Sequence, residues 1–229
     1  MLAGDVPSAA VNSSTDAFPW LNNKCRISLA RLSVLTDMAR SVASYPWYGK
    51  SLLLYGRPRA AAALVQEEET IGLSAGTTTT LVARQLLHRK NISIITNAVN
   101  IGMELSSSTR LHTTLTGGNL RWAGAFSLVG PTAIDSLATV VMDRLFLSAT
   151  GVDAERGATL IQPDEASVFR VMARQARQVI VVADSSKLGL VSPAVICTPK
   201  QIDLLITDHG ITEEAALAFA AKGVKIMAV

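Results

Sequence analysis

Thr70-Ile71-Gly72-Leu73-Ser74-Ala75-Gly76-Thr77-Thr78-Thr79-Thr80 turns a short apolar strand into a helix through a glycine followed by four hydroxyls. The strand is expected to end at Ser74, Gly76 lets the backbone come close to a ligand, and the threonines are expected to cap a helix running from Thr78 to Leu87. Unpaired N–H groups at such a helix start, together with the positive end of its dipole, suit a phosphate or a carboxylate. An ordinary capped strand-to-helix turn gives the same pattern, so the surrounding chain has to decide between them.

Outward from this stretch, strand-like and helix-like segments alternate. Strands are expected at Ile71–Leu73, Ile92–Ile95, Leu111–Leu115, Arg144–Leu147, Val179–Ala183 and Leu204–Ile206, with Lys225–Val229 as a last candidate. Helices are expected at Ala60–Val65, Thr78–Leu87, Ala98–Leu105, Pro131–Leu137, Asp164–Gln175 and Thr212–Ala221. Strands apolar on both faces and separated by helices imply an α/β fold, a mainly parallel sheet covered by helices. Glu67-Glu68-Glu69 reads as a solvated turn ahead of the first strand.

With 229 residues, 49% apolar and 17% charged, the chain is long and apolar enough to bury a core. It contains no run of eighteen apolar residues, and its first residues carry no basic cluster ahead of an apolar run, so neither a membrane span nor a secretory signal is expected. The expected location is cytoplasmic. Cys25 and Cys197 stand far apart with no CxxC and no paired histidine, which gives no support to a disulfide, a metal site or a cofactor. Residues 1–57 hold six basic and three acidic side chains, whereas 58–229 hold fifteen of each. The net charge of +3 therefore resides in the first quarter, and the remainder offers no basic surface for nucleic acid by composition. Within that quarter, apolar positions from Ile27 to Met38 suggest one amphipathic helix.

Six of the expected strands end in small polar residues: Ser74, Thr96-Asn97, Thr116-Gly117-Gly118, Ser148, Asp184-Ser185-Ser186 and Thr207-Asp208. In a parallel sheet these ends converge on one edge, where small ligands bind. Lys187 is the cation placed to complete an anion site there, and Arg121 is a second. Asp153 and Asp184 are candidates to bond sugar hydroxyls, although aspartates in turns also bond their own backbone. His88, His112 and His209 form no triad-like arrangement with a serine and an aspartate.

The ordered series Ala-Gly-Thr-Thr (75–78), Ile-Ile-Thr-Asn (94–97), Leu-Thr-Gly-Gly (115–118), Leu-Val-Gly-Pro (128–131), Ala-Thr-Gly-Val-Asp (149–153), Ala-Asp-Ser-Ser-Lys (183–187) and Asp-Leu-Leu-Ile-Thr-Asp (203–208) resembles the effector-sensing domain of DeoR/GlpR-type bacterial transcriptional regulators. The resemblance implies a sheet related to ribose-5-phosphate isomerase and coenzyme A transferases, a phosphorylated sugar or polyol as effector, and a homo-oligomer. It also implies that Gly76, Thr77, Thr78, Thr96, Asn97, Gly117, Gly118 and Lys187 line the effector site, with Ser74 standing where the family usually has an aspartate. Such regulators read DNA through a winged helix-turn-helix with a Thr-Ile-Arg-Arg-Asp-Leu-like helix and an Arg-Val-His-Gly-Gly-like hinge. Neither motif is recognisable in Met1 to Arg57, so 1–57 stands as a segment apart from a sensing domain at 58–229.

Two other classes remain open. A sugar-phosphate isomerase on the same sheet would need a carboxylate base, for which Asp153, Glu165 and Asp184 are the candidates. A module kept for oligomerisation or protein interaction would need no ligand at all.

Overall fold

The computed structural model describes residues 56–121 and 126–229. The amphipathic helix expected between Ile27 and Met38 lies outside them. The described chain begins with α1 (Gly56–Ala63), followed by β1 (Thr70–Leu73), α2 (Thr77–Leu86), β2 (Ile92–Thr96), α3 (Val99–Leu105) and β3 (Leu111–Leu115). A small hairpin, β4 (Asn119–Leu120) with β5 (Leu128–Val129), leads to α4 (Pro131–Leu137) and β6 (Arg144–Leu147). Then come β7 (Gly151–Asp153), β8 (Gly157–Leu160), α5 (Pro163–Gln175), β9 (Val179–Val182), β10 (Ala194–Cys197), β11 (Leu204–Thr207), α6 (Glu213–Ala221) and β12 (Lys225–Ala228).

Seven strands form one sheet in the order β12-β11-β9-β6-β1-β2-β3, and every neighbouring pair is parallel. All seven strands expected from the sequence are present, with ends moved by a residue at most. The central ones are buried on both faces, as their unbroken apolar runs require, while the edge strands β3 and β12 are partly exposed. Phe146, Phe169, Phe219, Ile71 and Leu73 are among the fully buried side chains of the core.

Strand order reverses at β1. From it the chain winds through β2 to β3 in one direction, and from β6 through β9 and β11 to β12 in the other. Right-handed crossovers running in opposite directions put their helices on opposite faces. In keeping with this, α1 packs on α2 and α2 on α3, whereas α4 packs on α5.

Two expectations need correction, and one feature was not foreseen. Gly76, not a threonine, is the N-cap of α2, and no side chain caps that helix. Thr79 and Thr80 donate their hydroxyls back to the Gly76 carbonyl at 3.0 and 2.8 Å, which removes them from the capping role. Glu69 is not a solvated turn residue: its side chain is 15% exposed and pairs with Arg144 at 3.1 Å. Finally, β8 pairs antiparallel with β7 and β10 in a separate three-stranded sheet that the sequence reading did not anticipate.

Candidate functional site

The β1–α2 loop lies at the point of strand reversal, the usual place for a ligand site in an open parallel sheet. Both neighbours hold this loop. On the β6 side, the Ser148 N–H donates to Ser74 Oγ at 2.9 Å and the Ser148 hydroxyl donates to the Ala75 carbonyl at 2.6 Å. On the β2 side, Asn97 Oδ1 accepts the Ala75 N–H at 3.0 Å, and Thr96 Oγ1 donates to the Leu73 carbonyl at 2.7 Å. Ser74, Thr96 and Asn97 are completely buried. Their polar atoms are committed to the backbone, which makes them the frame of the loop rather than its open surface.

That frame presents the first turn of α2. With no side-chain cap, the leading N–H groups of Thr77 and Thr78 have no intrahelical acceptor, and the Thr77 side chain is exposed while Thr78 is buried. Gly76 has to be a glycine here, because a Cβ would stand 2.6 Å from Ser148 Cβ and closer still to Ser148 Oγ. Uncapped donors and the helix dipole are the two features that suit a helix terminus to an anion.

Around this centre the other expected residues are spread along the same edge. The Gly117–Gly118 turn follows β3 with both φ values positive, at 71° and 107°. Thr116 Oγ1 donates to the Gly117 carbonyl at 3.1 Å, and Gly118 packs so tightly that a Cβ would be 2.6 Å from the Val129 carbonyl oxygen. Lys187 ends the single 3₁₀ turn Ser185–Lys187 after β9, two strands from β1, a lateral step of about 10 Å at normal strand spacing. Its ammonium group lies 3.5 Å from Asp184 and remains 29% exposed.

Burial works against the charge on Asp184, but the Ser186 hydroxyl, the Lys187 ammonium, its own backbone N–H and the Arg57 guanidinium outweigh it and hold the carboxyl below its usual value of 3.8.

Arg121 and Asp153 have other partners. Arg121 lies 3.6 Å from Glu165, which is 8% exposed in the first turn of α5, and its Nε donates to Ser127 Oγ at 3.3 Å. Asp153 Oδ1 accepts the N–H groups of Glu155 and Arg156 at 2.9 and 2.8 Å and so closes the β7–β8 turn. It borders a cavity of about 270 Å³ shared with Leu188, Gly189 and the start of α6.

One side chain at this edge was missed altogether. Arg57, 5% exposed in α1, pairs with Asp208 at the end of β11. The two lie 151 positions apart, and no spacing in the sequence announces their meeting. No group of His, Cys, Asp and Glu among the described residues could hold a metal ion. No helix among them is long and apolar enough to cross a membrane.

Residues 58–209 match the family model described as the DeoR C terminal sensor domain, and the chain belongs to that family. Among curated relatives it is 35% identical over 161 residues to the HTH-type transcriptional regulator GlpR of Haloferax volcanii, covering 70% of this chain and 62% of that protein. It is also 35% identical over 151 residues to the HTH-type transcriptional repressor GlcR of Bacillus subtilis, covering 66% and 57%. The chain thus matches less than two thirds of the length of either relative. Among solved structures it is similar to ribose 5-phosphate isomerase from Plasmodium falciparum, with 16% identity, a TM-score of 0.43, and coverage of 59% of this chain and 52% of that one.

Proposed function

We propose that residues 58–229 are the effector-sensing part of a DeoR-type transcriptional repressor and take a phosphorylated sugar or polyol at the carboxyl edge of the sheet. The observation that carries this reading is the uncapped start of α2, held from both sides by Ser148 and Asn97 at the point of strand reversal. In this reading the Thr77 and Thr78 N–H groups and the Thr77 hydroxyl receive the phosphate, and the Gly117–Gly118 turn and Lys187 bound the sugar on either side. Ser74, Thr96 and Asn97 shape the loop, and Arg121 and Asp153 contribute as supports of neighbouring turns. DNA is read by a winged helix-turn-helix not recognisable in this chain, in a homo-oligomer.

The isomerase alternative finds little support in the carboxylates. Asp153 closes its own turn, Glu165 faces Arg121, and Asp184 is held toward its charged, weakly basic form. Thermal shift followed by calorimetry over a broad panel of sugar and polyol phosphates tests the sensing role. A panel member is expected to bind in the micromolar range typical of metabolite sensing. A folded chain stabilised by no member of the panel would sink this function.

A further inference from the structure

Where the carboxyl ends of β9 and β11 meet α1, the side chains of Arg57, Asp208 and Ser185 are linked in series. Asp208 Oδ2 accepts the Ser185 N–H at 2.9 Å, and Asp208 Oδ1 accepts the Ser185 hydroxyl at 2.6 Å. The Gly210 N–H adds a third bond at 3.0 Å. Arg57 Nη1 donates to Asp208 Oδ2 from the other side. Asp208 therefore grips the first residue of the 3₁₀ turn that ends in Lys187 and is itself gripped from α1.

We propose that Asp208 is the positioning residue of the Lys187 turn and that Arg57 is its anchor, so that α1 and the Ser185–Lys187 turn move as one unit. The inference rests on the sensing function above only in treating Lys187 as an effector contact. Local space agrees with a dedicated linkage: a Cβ at Gly210 would lie 2.5 Å from Ser185 Oγ and 2.9 Å from Asp208 Oδ1, so a side chain there would split the pair. Arg57 is buried yet spends its guanidinium incompletely, since Nε has no acceptor, and Thr207 Oγ1, next to Asp208, is buried without a partner as well.

Hydrogen exchange followed by mass spectrometry on the full chain tests the linkage without any effector. Arg57→Gln is expected to speed exchange of the 185–188 amides about tenfold while leaving those of β1 and β2 unchanged. Asp208→Asn is expected to do the same, both variants are expected to speed the amides of α1, and Arg57→Lys is expected to restore most of the protection. Lys222→Met, which removes an exposed ion pair with Glu155 elsewhere, serves as the control and is expected to change nothing at 185–188. Unchanged 185–188 exchange in Arg57→Gln overturns the proposal, as does a uniform rise across the sheet, which would mean that Arg57 merely stabilises the whole domain. Since no ligand enters the readout, a chain that binds no sugar phosphate would remove the sensing function while the exchange rates still decide the linkage.

Discussion

Gly76 and Ser148 meet at a distance that no side chain on residue 76 can share, and this contact sets the position of the α2 terminus. In Gly76→Ala the added methyl would have to displace Ser148, whose hydroxyl holds the Ala75 carbonyl. The expected cost is about 1 to 3 kcal/mol in urea unfolding, the usual range for forcing a carbon into a packed site. Thr77, one residue on, is exposed, so Thr77→Ala is expected to leave stability within about 0.5 kcal/mol. It should nevertheless weaken effector binding, as should Lys187→Ala, the latter by about 1.5 to 3 kcal/mol for loss of a charge-assisted contact. Calorimetry on the two variants checks this contrast. Equal affinity in Lys187→Ala and the parent chain would remove Lys187 from the effector contacts.

At the scale of elements, Asn97 joins two loops that are distant in sequence. Its Oδ1 holds the β1–α2 loop at Ala75, and its Nδ2 donates to the Leu128 carbonyl of β5 at 3.2 Å. Asn97→Ala leaves both backbone groups without their partner, one buried and one part-buried, for an expected loss of about 2 to 4 kcal/mol by denaturant titration. A loss under 1 kcal/mol, roughly one ordinary hydrogen bond, would mean that water replaces the amide. The parallel strands were legible because burial on both faces writes an unbroken apolar run such as Val179–Val182. The small sheet was not, since β7 and β8 are three or four residues long and begin with Gly151 and Gly157, which read as turns. At the site, the polar strand ends were legible as a group. What Ser74 and Asn97 do there was not, because the choice between bonding a ligand and bonding the backbone depends on Ser148 and Ala75 arriving from other elements.

Over the whole molecule, the parallel sense of β9 and β11 brings Asp184 and Asp208 to one edge of the sheet and couples its stability to pH. Burial disfavours the charged form of Asp208, but the Ser185 hydroxyl, the Ser185 and Gly210 N–H groups and Arg57 outweigh it, so that its carboxyl, like that of Asp184, titrates below 3.8 when folded. A carboxyl whose folded value is depressed releases its proton more readily in the native state. Its stabilising contribution is therefore complete above 3.8 and is lost as pH falls through the lower, folded value. The chain is expected to hold a level urea midpoint at neutral pH with respect to these two groups and to lose stability below 3.8. Asp208→Asn is expected to start lower at neutral pH and to decline less steeply into acid, because residue 208 then has no proton to take up. The two curves should converge at the acid end, where Asp208 of the parent chain is itself neutral. Urea titrations of both proteins across this range decide the matter. Parallel curves would mean that the charge of Asp208 adds nothing to folding, whereas convergence would assign the acid-sensitive part of the stability to the Asp208 carboxylate and its bonds to Ser185, Gly210 and Arg57.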